Sequence, residues 1–98
     1  MRVRILDPAE RDLENGYRFY ERQSSGLGSY FLDSLYADID SLAYFGGIHR
    51  VIFGCHRLLS KRFPFAVYYE IVEDVVLITA VLDCRRNPSW IRERLMKG

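Results

Sequence analysis

The sequence predicts an α+β fold of order βααβββα, an antiparallel helical hairpin packed on a small antiparallel sheet. Three observations carry this. Residues 9–42 hold two runs of apolar side chains at helical spacing, parted only by a glycine-rich turn. Residues 50–84 hold three runs rich in Val, Ile, Phe and Tyr, parted by short polar turns. The chain then closes on Asn87-Pro88, a helix start followed by Trp90, Ile91 and Leu95.

Each element follows from local chemistry. Met1 to Leu6 alternates Val3 and Ile5 with Arg2 and Arg4, as a half-buried strand does. Asp7 is expected to cap the first helix, with Pro8 at its first position and Glu10 completing a capping box. Ala9, Leu13, Gly16, Tyr17 and Tyr20 share one face of this helix, which should reach about Gln23. Ser24 to Gly28 makes the turn. Phe31, Leu35, Ile39 and Leu42 mark the buried face of a second helix, closed by Gly46-Gly47. So short a turn makes the pair a hairpin, and Gly16 should let the two backbones approach closely.

Strands are expected over Arg50 to Leu59, Phe65 to Ile71 and Val75 to Cys84, arranged as a meander. Both alternating sets of the last are apolar or nearly so, which marks a central strand covered on both faces. The terminal helix is the remaining element available for the second face. Its Arg92, Arg94 and Lys97 suit the negative end of a helix dipole.

The chain of 98 residues makes one domain, with no repeat, linker or low-complexity stretch. Its apolar share of 49% and charged share of 28% are those of a globular protein rather than a disordered one. The longest apolar runs fall far short of the roughly 20 residues that cross a membrane, and the N-terminus lacks an apolar signal-peptide core. No membrane partner and a cytoplasmic location are expected. Cys55 and Cys84 are expected as buried thiols rather than a disulfide, and with His49 and His56 they lack the spacing of a zinc site. No metal and no cofactor are expected. The net charge of +1 hides an asymmetry: residues 1–46 carry −3 (five basic, eight acidic) and residues 47–98 carry +4 (nine basic, five acidic). A basic surface on the C-terminal half would suit an acidic partner.

Several motifs are similar, in order and spacing, to those of the RelE/ParE superfamily of type II toxins. Gly26-Leu27-Gly28 with Phe31 heads the second helix. Arg57, Arg62-Phe63-Pro64-Phe65 and Tyr68-Tyr69 lie in the sheet. Ala80-Val81-Leu82-Asp83-Cys84-Arg85-Arg86-Asn87-Pro88 with Trp90 closes the chain. The resemblance spans nearly the whole sequence. It implies a toxin of a toxin–antitoxin (plasmid stabilisation) system, held in a hetero-oligomer by a cognate antitoxin.

Two routes to growth arrest are implied by the resemblance: ParE-like inhibition of DNA gyrase without nucleic acid cleavage, and RelE-like cutting of messenger RNA on the ribosome. Cleavage needs clustered acids and bases around the reacting 2′-hydroxyl. The position where RelE-like sheets carry an arginine is Ala66 here, the late tyrosine is Trp90, and Asp83 stands where many relatives have histidine. Asp83 could pair with Arg57 or Arg86. His49 and His56 are expected as hydrogen-bonded loop or strand-edge residues, and Cys84 is assigned no chemistry. These substitutions favour the gyrase route; a non-toxic relative that binds only an antitoxin is the third reading.

Arg57, Lys61, Arg62 and Arg86 are the candidates for target contact. Three of them match family motif positions, and arginine suits bidentate recognition of carboxylate or phosphate. The antitoxin-binding candidates are Phe19, Tyr30, Ala37 and Tyr44, which lie away from the buried helix faces. An antitoxin tail, disordered when free, is expected to fold across the hairpin and onto the sheet.

Overall fold

The computed structural model describes residues 1–97. Strand β1 (Arg2–Ile5) leads into helix α1 (Asp7–Gln23), and helices α2 (Leu27–Asp40) and α3 (Leu42–Phe45) follow. Strands β2 (Val51–Ile52), β3 (Cys55–Leu59), β4 (Phe65–Val72) and β5 (Val75–Asp83) then precede helix α4 (Pro88–Met96). The α+β architecture is the expected one, with differences of local cause.

Asp7 is the first residue of α1 rather than its cap. Leu6 holds the cap position with no side-chain bond, and Asp7 and Glu10 act on the dipole from within the first turn. The second helix is capped from its neighbour: the Glu21 carboxylate accepts the Gly26 and Gly28 amides, the latter at 2.9 Å. The helix breaks at Ser41, whose Oγ donates to the Asp38 carbonyl at 2.6 Å and competes with the helical ladder. The two α helices pack where their glycines face each other's neighbours. A Cβ on Gly16 would meet the Phe31 ring at 2.5 Å, and one on Gly28 would meet the Tyr17 carbonyl oxygen at 2.7 Å.

The expected strand over Arg50 to Leu59 is a hairpin. Phe53 and Gly54 both take positive φ, 51° and 83°, and turn the chain so that Val51 pairs with His56 and Ile52 with Cys55. The sheet order is β1-β5-β4-β3-β2, so the meander holds from β2 to β5. The sheet is mixed rather than wholly antiparallel. β1 lies parallel to β5, from Arg2 opposite Val75 to Ile5 opposite Ile78. Turn lengths fix only the sequential pairs, whereas β1 is placed by burying Val3 and Ile5 against the helical core.

Flanked by β1 and β4, β5 is the central strand expected. On one face Phe31, Leu35, Ile39 and Leu42, each at most 1% exposed, pack with Leu13 over Val67, Tyr69 and Ile78. On the other face Ala66, Tyr68, Ala80 and Leu82 lie beneath Ile91 and Leu95 of α4. Asn87 caps α4 as expected, accepting the Ser89 amide at 2.9 Å.

Candidate functional site

The C-terminal end of β5 gathers most of the charge chemistry. Asp83 takes Arg85, not Arg57 or Arg86: its carboxylate accepts the Arg85 amide at 2.8 Å, Nε at 2.9 Å and Nη2 at 2.7 Å. The Arg85 guanidinium holds the carboxyl below its ordinary range against the opposing effect of burial. Burial raises the Tyr20 hydroxyl, with Arg85 beside it opposing. A planar donor set against one carboxylate explains the choice, because residues two apart in a tight turn present both groups to each other.

Arg86, one residue on, turns the other way. Its guanidinium carbon lies 4.0 Å from the centre of the Trp90 ring, a cation–π contact. Together they border a groove of about 380 Å³ between α1 and α4, walled by Phe19 and floored by Phe65, Val81 and Leu82. Arg94 closes one end. Its guanidinium donates to Asp12 at 2.9 and 2.7 Å, and the same carboxylate accepts the Val81 amide at 3.0 Å. Asp12 thereby joins α1, β5 and α4.

Arg57 lies elsewhere, on the α4 face of the sheet opposite Tyr68. Burial raises the Tyr68 hydroxyl, with the neighbouring Cys84 adding and Arg57 opposing. Cys84 is exposed, contrary to expectation, because β5 ends at Asp83. Desolvation pushes its thiol up despite the adjacent Arg57, so no reactive thiolate is prepared there. Cys55 is buried, as expected, and both cysteines are free.

Of the remaining candidates, Arg62 donates to the Tyr30 hydroxyl at 3.1 Å, and Lys61 beside it is exposed. The Tyr30 ring leans on Phe63. Ala37 is exposed on α2, and Tyr44 on α3 is 86% exposed. The two sets of candidates therefore interleave: Phe19 shares a groove with Arg86, and Tyr30 is bonded to Arg62. Arg57 stands apart from both.

The histidines serve the fold. Tyr69, fully buried, accepts the Gly47 amide at 3.0 Å and shares a hydrogen bond with Nδ1 of His49. Nδ1 of His56 donates to the His49 carbonyl at 2.7 Å, and its ring stacks on Tyr69. Burial lowers the His49 pKa, with His56 adding to the effect. Ala66, at 0% exposure, presents no polar group. Among the described residues no group of three or more His, Cys, Asp or Glu side chains is placed to hold a metal, and no helix is long and apolar enough to cross a membrane.

Sequence reasoning missed Asp12 and Arg94 because they lie 82 positions apart and neither belongs to a motif. It missed Glu21 as a cap because the donors belong to the next helix.

A helical hairpin on a sheet of this topology, with a short helix on the reverse face, is a ParE/RelE-like fold. The likeness is measured against a chain of a chromosomal ParDE TA system from P. aeruginosa. That chain is 18% identical and superposes with a TM-score of 0.69 over 83% of this chain and 92% of its own length. No family model matches the sequence, and no curated protein does.

Proposed function

We propose that the chain is the toxin of a bacterial type II toxin–antitoxin system, held inactive in a hetero-oligomer by a cognate antitoxin. Freed, it inhibits DNA gyrase and cuts no nucleic acid. The toxin–antitoxin part is carried by the fold shared with the ParDE system of P. aeruginosa. The choice of gyrase is supported by where the acids and bases lie. Both histidines are engaged around Tyr69, Asp83 is engaged by Arg85, and Ala66 is a buried methyl. Nothing gathers them round one reacting phosphate, as general acid–base cleavage requires.

Arg57, Lys61, Arg62 and Arg86 make the target contact, and Phe19, Tyr30, Ala37 and Tyr44 receive the antitoxin. Their interleaving gives a physical account of neutralisation: a partner covering Phe19 and Tyr30 also covers Arg86 and Arg62. The test is induction of the chain alone in a bacterial host. Growth arrest with filamentation and relaxed plasmid, relieved by co-expressing the protein encoded beside it, is the expected result. Immediate translation arrest with cut messages would assign the RelE-like route instead. Unimpaired growth at full expression would make the chain a relative that binds only its antitoxin.

A further inference from the structure

The groove between α1 and α4 has a charge that its own residues do not balance. Three arginines border or adjoin it. Arg94 is taken by Asp12 and Arg85 by Asp83, each at 2.7 Å. Among the described residues no carboxylate oxygen comes within ion-pair distance of Arg86, whose guanidinium rests on Trp90 instead. The space beside it is lined by the half-exposed Phe19 ring, Trp90, Phe65 and Val81, with polar atoms supplied by Asp12, Asn15 and Asp83. Its volume of about 380 Å³ lies near the lower end for binding pockets.

We infer that this groove seats an acidic segment of a partner protein, an apolar side chain entering between Phe19 and Trp90 while a nearby carboxylate pairs with Arg86. A nucleic acid strand fits the same place poorly. It carries a phosphate at every nucleotide, whereas among the described residues that line the groove Arg86 is the one cation not already held by a carboxylate. A segment with one carboxylate per apolar anchor matches one unpaired arginine flanked by aromatic rings. The inference stands without the toxin reading. On that reading the partner is the antitoxin, and the seat withdraws Arg86 from the target.

The experiment titrates the whole chain with acetyl-Leu-Glu-Leu-Glu-amide, its glutamine counterpart and 5′-phosphorylated dithymidine, followed by amide and indole NMR shifts. The glutamate peptide should move Gly16, Phe19 and the Trp90 indole N–H. It should bind about tenfold more tightly than the glutamine peptide, the worth of one charge-assisted hydrogen bond. Arg86→Gln should erase that difference and leave the remaining spectrum native. Equal binding of the two peptides, shifts confined to another surface, no shifts at millimolar peptide, or tighter binding of the dinucleotide would each overturn the assignment.

Discussion

At the scale of single residues, the hairpin depends on what Gly16 lacks. Its missing Cβ is the space occupied by the Phe31 ring, which also touches Tyr20, Phe63 and Phe65. Gly16→Val should destabilise the domain by about 1–3 kcal/mol, since an overpacked core must shift rings or backbone to admit the new atoms. Urea unfolding checks this, with a fall in midpoint at unchanged slope. His49 gives a pH signature. Its pKa is lowered from the ordinary 6.5, so the unfolded chain takes up the proton first as the pH falls. Stability should therefore be full above about pH 6.5 and decline as the pH drops towards the lower folded-state pKa. His49→Gln should flatten that slope between pH 7 and 5 in thermal melts, to about the level set by the other groups. The proposed target residues make a contrasting prediction. Arg57→Ala and Arg86→Ala should abolish growth arrest while the melting temperature barely moves, because neither side chain has an ion-pair partner among the described residues. Unfolding of either variant would assign that arginine to the structure.

Among the elements, α4 has the lightest attachment: Ile91 is its one buried residue, aided by Leu95 and by the Arg94–Asp12 pair. Asp12→Ala removes the acceptor of both Arg94 and the Val81 amide. It should cost about 1–3 kcal/mol, and amide exchange should rise first in α4 and around Val81. The helices were legible in the sequence because their determinants are local: Phe31, Leu35, Ile39 and Leu42 recur at helical spacing, and Asn87-Pro88 starts α4. The breaks were less so. Ser41 ends α2 through a side-chain bond that an apolar pattern does not register. Phe53 turns the chain in a left-handed conformation that few bulky residues adopt. The parallel seating of β1 and the Asp12 clamp depend on contacts across most of the chain, which no window of sequence contains. Four candidate cations were named from sequence, but that Arg86 alone adjoins an aromatic groove emerges only when α4 folds back beside α1.

For the whole molecule, one sheet separates two surfaces. The hairpin side carries Tyr30, Ala37 and Tyr44, with Phe19 and Arg86 at its α4 margin, while Arg57 lies on the reverse. On the proposed function, a partner that wraps from the first to the second would neutralise the chain by physical cover, and its removal would restore the cations to solvent. The most direct measurement is plasmid supercoiling by purified gyrase at micromolar excess of the purified chain, alongside ribosomes translating a labelled message. The account predicts that supercoiling stops, that the message stays whole, and that adding the neighbouring antitoxin restores supercoiling. Undiminished supercoiling with a message cut at codons would contradict it.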